Sequence, residues 1–186
     1  MVLPGVAAVL LFLLWSRWAR GAVAWAVSMG GVMATMLVLK VLVSSVGRGW
    51  SGIGLNSPSG HTAAAAAFYG GLAVILRPPM TTLAAGLIAT AIAVVFAATR
   101  LLLGYHTPFD VLIGGVVGVA GLLIFCRTSG PVPRALRRDR LVILLLLVGL
   151  AFHGHRLPAE GYLHRLAVTR VRPVLQFLEG RAGRIF

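Results

Sequence analysis

Six apolar runs limit what this chain can fold into more than any other feature. They lie at about Val2 to Trp15, Ala22 to Val46, His61 to Leu76, Met80 to Ala98, Phe109 to Phe125 and Leu141 to Phe152. A segment in hydrocarbon must satisfy its own backbone hydrogen bonds, which a helix does. Roughly 20 apolar residues cross a bilayer, so the second run is comfortable, several lean on their flanks and the sixth is marginal. The expected fold is all-α: a polytopic membrane helical bundle of about six transmembrane helices, spanning residues 1–152. A basic tail, 153–186, carries six arginines among scattered apolar residues and reads as an interfacial helix. The first run has no positive flank before it and no small-residue cleavage signal after it, and reads as a span that stays.

Composition agrees with a membrane protein. The chain is 59% hydrophobic and 11% charged, with 17 basic residues against 4 acidic ones and a net charge of +13. In a soluble protein that excess would raise nucleic acid as a partner. Here it points to anionic headgroups and to control of topology. Aromatic residues do not interleave with the basic ones as they do in single-strand binders, so no nucleic acid partner is expected. Cys126 is the sole cysteine, which rules out an internal disulfide and a thiolate metal cluster.

The basic residues also orient the bundle. Arg17 and Arg20, then Arg77, then five arginines from Arg127 to Arg140 occupy alternate connections, and the positive-inside bias makes their side cytoplasmic. The remaining loops, about residues 47–60 and 99–108, fall on the opposite face. Six spans would place the arginine-rich tail on that face too, against the bias. Either the tail lies along the outer surface or the sixth run re-enters.

On the less basic face stands Pro58-Ser59-Gly60-His61, between two apolar runs. With Ser57 as cap and Pro58 in the first turn, Ser59 and Gly60 would offer unpaired N–H groups to an anion, and His61 would follow with an imidazole. Taken alone, the tetrapeptide reads equally as a helix cap. The second loop reads Thr99, Arg100, Leu101, Leu102, Leu103, Gly104, Tyr105, His106, Thr107, Pro108, Phe109, Asp110. Asp110, one turn below His106, could hold its ring and leave the other nitrogen free to attack, with Arg100 offering a planar donor fork to phosphate. The same residues also make a helix start, with Thr107 as cap and Asp110 reaching back from the third position. Asp110 is the only acidic residue before Gly130, and His61 and His106 are the only histidines there. Ionisable groups beside a bilayer are expensive, which favours function for all three.

These residues resemble the type 2 phosphatidic acid phosphatase (PAP2) superfamily of integral membrane lipid phosphatases. Its motif P-S-G-H stands intact at Pro58 to His61. Its motif S-R-x5-H-x3-D is matched from Thr99 to Asp110 with threonine in place of serine. Its motif K-x6-R-P is irregular here: seven residues separate Lys40 from Arg48, and Gly49 stands where proline is expected. The resemblance implies that His106 attacks phosphorus, Asp110 orients it, and His61 protonates the departing oxygen and later helps activate water. It further implies that Lys40, Arg48, Ser59, Gly60 and Arg100 hold the phosphate oxygens, with no metal and no cofactor. The implied partner is a phospholipid or polyprenyl phosphate substrate in a bacterial inner membrane, with the site facing the periplasm or outside.

Two other readings keep the anion site. One is lipid-to-lipid phosphotransfer; the other is a noncatalytic lipid-phosphate binding or transport protein, to which the irregular first motif lends support. A soluble vanadate-using haloperoxidase is disfavoured by the continuous apolar runs. Lys40 also reads as a residue snorkelling to the interface and Trp50 as an interfacial anchor. Tyr105 reads as packing, as do Ala63 to Ala67 and the glycines from Gly114 to Gly121, where the GxxxG spacing at Gly114 and Gly118 allows close helix approach. His153, His155 and His164 are unassigned.

Overall fold

The computed structural model describes residues 2–46 and 54–153. Arg48, Trp50 and tail residues 154–186 lie outside this range. Among the described residues all regular structure is helical: α1 Val2–Trp15, α2 Ala19–Val46, α3 Gly60–Leu76, α4 Thr82–Leu102, α5 Pro108–Thr128 and α6 Arg138–Ala151. The span Ala19–Ser45, α4 and α5 are long and apolar enough to cross a membrane, while α1 and α3 are shorter apolar helices. The expected count of six is therefore right for helices and approximate for spans.

The core is built where bulky rings meet small residues. Helices α3, α4 and α5 pack on one another, α2 lies against α3 and α5, and α1 joins α2 to α6. Trp25 of α2 is fully buried, with Phe68 of α3 and Phe125 of α5 at ring-centroid distances of 5.8 and 5.7 Å. Its indole N–H donates to the Val6 carbonyl at 3.1 Å, so the one polar atom of a buried ring is satisfied. The Trp25 ring occupies the space a side chain on Gly71 would need. On α5, Gly121 admits Val32 of α2, and Ser28 Oγ donates to its carbonyl at 2.5 Å. In hydrocarbon, where apolar burial separates no helix from water, such close approach and interhelical hydrogen bonds hold helices together.

The outward surface is apolar as well. Leu11, Val23, Leu83, Leu87, Val94, Val116 and Leu150 are each more than half exposed. Helices apolar on every face suit a lipid surround. Three arginines find partners at one end: Arg20 Nε donates to Thr128 O at 2.9 Å, Arg138 Nε to Ile75 O at 3.3 Å, and the Arg140 guanidinium stands 5.4 Å from the Trp15 ring. The two loops singled out in the sequence meet at the other end.

Candidate active site

Two helix ends and one returning turn build this site. Helix α4 runs to Leu102, so Thr99 and Arg100 belong to its last turn rather than to the following loop as the sequence suggested. The turn that follows is a Schellman motif. Gly104 has φ of +68°, Tyr105 N–H donates to Arg100 O at 3.1 Å, and Gly104 N–H donates to Leu101 O at 3.0 Å. Glycine takes that left-handed conformation without the cost a Cβ would add. The chain reverses there and brings Tyr105 within 5.9 Å of the Arg100 guanidinium. Arg100 Nε is buried with no hydrogen-bond partner, while Thr99, in the family's serine position, turns its hydroxyl back onto Phe96 O at 2.8 Å.

Helix α5 starts immediately after His106. Thr107 caps it, Pro108 opens it, and the capping box is complete: Asp110 N–H donates to Thr107 Oγ1 at 3.2 Å, and Thr107 N–H to Asp110 Oδ2 at 3.1 Å. Asp110 also does more than cap. Its Oδ1 accepts from the backbone N–H of Asn56 at 3.1 Å and of Ser57 at 2.8 Å, and its carbonyl accepts from Ser59 N–H at 2.9 Å. A carboxylate only 1% exposed is costly to bury, and three N–H donors offset that cost. One residue therefore ties the turn before α3 to the start of α5.

His106 sits over this knot. Its side chain is 8% exposed, and Nδ1 stands 3.7 Å from Asp110 Oδ2 with no hydrogen-bond partner. That distance exceeds hydrogen-bond reach. Contacts of this kind are often long before substrate arrives. Since Nδ1 faces the carboxylate, Nε2 is the nitrogen left to meet an electrophile.

The cap of α3 differs from expectation. Ser59, not Ser57, is its N-cap, because the Ser59 N–H is taken by Asp110 O and its hydroxyl accepts from Thr62 N–H at 3.4 Å. Helix α3 consequently begins at Gly60, with His61 exposed in its first turn. Ser59 is wholly buried. Lys40, half-buried on α2, brings its Cε within 3.6 Å of where a Cβ on Gly60 would lie. The structure thus gathers Asp110, His106, Ser59 and the turn before α3, with Lys40 beside Gly60; Arg48 is outside the described residues.

Sequence reasoning gave no role in the site to Asn56, Thr62 or Gly114. A side chain on Gly114 would collide with the Ser59 carbonyl, and one on Gly118 with the Ala63 carbonyl. The legible signal was spacing: Gly114 and Gly118 follow Asp110 at four and eight residues, on one face of α5.

A family model for the PAP2 superfamily matches residues 21–134, which include Lys40, the Pro58 to His61 turn and the whole segment from Thr99 to Asp110. No curated protein and no solved structure gives a significant match. Members of this superfamily are generally phosphatases of phosphate esters, often lipid ones. With more than half of its length matched and both motif loops joined at one end of an apolar helical bundle, the chain belongs to the PAP2 superfamily.

Proposed function

We propose that this protein is an integral membrane lipid phosphatase that hydrolyses a phosphomonoester or diphosphate through a phosphohistidine at His106. The observation that carries the reading is the Asp110 knot, which ties the turn leading into Ser59 to the start of α5 directly beneath His106. His106 Nε2 attacks phosphorus, the bond to the leaving oxygen breaks, and His61 gives that oxygen its proton. Water, activated by His61, then attacks phosphorus, releasing phosphate and restoring His106. Asp110 steadies the imidazolium while the phosphoryl group is bound. Lys40, the Gly60 N–H and Arg100 stabilise the charge on the nonbridging oxygens, and the unpaired Arg100 Nε is suited to that task. The reaction is proposed to need no metal.

A lipid substrate fits the rim of the site. Leu102, Tyr105, Phe109 and Leu112 are 87, 66, 52 and 60% exposed on the segments flanking His106, an apolar surface suited to acyl or polyprenyl chains. Suitable headgroups are those of undecaprenyl diphosphate, phosphatidic acid, phosphatidylglycerol phosphate and lipid A. The arginines at the opposite end support a bacterial inner-membrane orientation with the site facing the periplasm or outside. Phosphate release from these lipids in detergent with EDTA tests the proposal. Loss of release in His106→Ala is expected; undiminished release by that variant overturns the nucleophile assignment. Lipid-phosphate binding by wild type without release would favour the noncatalytic reading, which the irregular spacing from Lys40 to Arg48 supports.

A further inference from the structure

A guanidinium drawn partly out of water is ordinarily paired with a carboxylate, which takes up its donors and balances its charge. Among the described residues the acids are Asp110 and Asp139. Asp139 stands beside Arg137 at the opposite end, and both oxygens of Asp110 already accept backbone N–H groups, from Asn56, Ser57 and Thr107. Arg100, half-buried, has its Nε closed to solvent without a hydrogen bond. The adjacent hydroxyl is spent elsewhere, since Thr99 Oγ1 donates to Phe96 O. A long side chain with this much rotamer freedom has to be held by something else.

What lies against it is the ring of Tyr105, its centroid 5.9 Å from the guanidinium carbon. The backbone sets this up. Tyr105 N–H donates to Arg100 O at 3.1 Å and closes the turn at Gly104, so the two residues stand at the pair of positions that an apolar contact ordinarily joins in a Schellman motif. Here the pair is a cation and an aromatic face, within the roughly 6 Å over which the ring attracts it. The substitution matters beside a phosphate. A carboxylate would occupy the in-plane N–H groups of the guanidinium and cancel its charge, and a ring face does neither. Tyr105 is 66% exposed, so this is not a core position that demands bulk.

We infer that Tyr105 is a positioning residue: its ring holds the Arg100 guanidinium in place at the site while leaving the donors and the charge of that arginine to the phosphate. The inference rests on the anion site of the phosphatase reading and adds to it a residue that acts only through Arg100. Its effect therefore needs both partners. Removing the aromatic face weakens anion binding where Arg100 is present and nowhere else, and another aromatic residue serves in place of tyrosine.

The test uses the full chain purified in detergent, with orthovanadate as a phosphate analogue whose binding is read by thermal shift. Tyr105→Leu and Tyr105→Met are each expected to weaken vanadate about fivefold, the scale of one cation–π contact, with the midpoint of the unliganded protein unchanged. Tyr105→Phe should stay within about twofold of wild type, because the face and not the hydroxyl holds the cation. In an Arg100→Ala background, Tyr105→Leu should alter the remaining affinity by less than about twofold. Vanadate affinity kept by both Leu and Met variants, a loss in Tyr105→Phe equal to theirs, or the same loss with and without Arg100 each overturns the inference. So does a wild type that binds no vanadate, and failure of both the Leu and Met variants to fold assigns Tyr105 to structure alone. If Arg100→Ala binds too little vanadate to measure, the contrast between Tyr105→Phe and Tyr105→Leu decides. Phosphate release on the same samples separates the two readings: vanadate bound by a wild type that releases no phosphate sinks the phosphatase and leaves the role of Tyr105 standing.

Discussion

The two ends of the bundle use charge in opposite ways. At one end Arg20 and Arg138 donate to the carbonyls of Thr128 and Ile75, at the finishing turns of α5 and α3, where cations complement the helix dipole. Arg137 and Asp139 stand 4.0 Å apart with both side chains about two-thirds exposed, a pair of little energetic weight. At the other end a carboxylate and an imidazole are nearly closed to solvent, and the carboxylate is held by backbone N–H groups. At the arginine end Arg20, Arg137 and Asp139 are exposed and Arg138 is half-buried. The charges at the site end depend on one another, and the contrast separates topology and anchoring from chemistry.

The comparison breaks most sharply at His106. We predict that His106→Ala lowers lipid phosphate release by at least about a thousandfold, the order expected when a nucleophile is lost. Its thermal midpoint in detergent should stay close to wild type, because no hydrogen bond to its Nδ1 is lost. A variant that releases phosphate normally would make the site end as dispensable as the arginine end.

Asp110→Asn should come next. The amide keeps one oxygen for Asn56 and Ser57 N–H but turns NH2 toward Thr107 N–H and His106, so activity is predicted to fall about a hundredfold and stability by about 2 kcal/mol. A melt unchanged from wild type would show that the knot does not hold the loops. Gly114→Ala tests the same join from below. Its methyl group must displace the Ser59 carbonyl, so we expect a cost of about 1 to 3 kcal/mol and roughly tenfold slower release. If kcat and KM both stay at wild-type values, α3 has given way without moving the phosphate turn.

Arg20→Ala should have the smallest effect. It loses a hydrogen bond to Thr128 O and packing against Gly130, for about 1 kcal/mol, with phosphate release within twofold of wild type. A tenfold loss of activity in that variant would erase the proposed division between the ends.

The helices and the pairing of two loops were legible because each rests on local pattern. Apolar runs mark the helices, and Thr107, Pro108 and Asp110 spell a capping box whether or not His106 reacts. The start of α3 was misplaced by two residues for a physical reason: Ser57 and Ser59 are both good caps, and the choice is made by Asp110, more than fifty positions away. Its carboxylate takes the Ser57 N–H and its carbonyl takes the Ser59 N–H. Arg100 was assigned to a loop because its helix outlasts the expected run, ending only where Gly104 allows a left-handed turn. Gly114 was read as a packing residue, and it is one. What it packs against, the Ser59 backbone at the start of α3, is a tertiary fact that spacing could not name.

The bonds converging on Asp110 leave the site few ways to open. Four backbone N–H groups, those of Asn56, Ser57, Ser59 and Thr107, end on this one residue. A fluctuation that withdraws it exposes the turn before α3 and the cap of α5 together, so the site has an assembled state and a dismantled one. The four amides should therefore exchange with deuterium at one common, slow rate. Widely separated rates would show that the turn and the cap open independently.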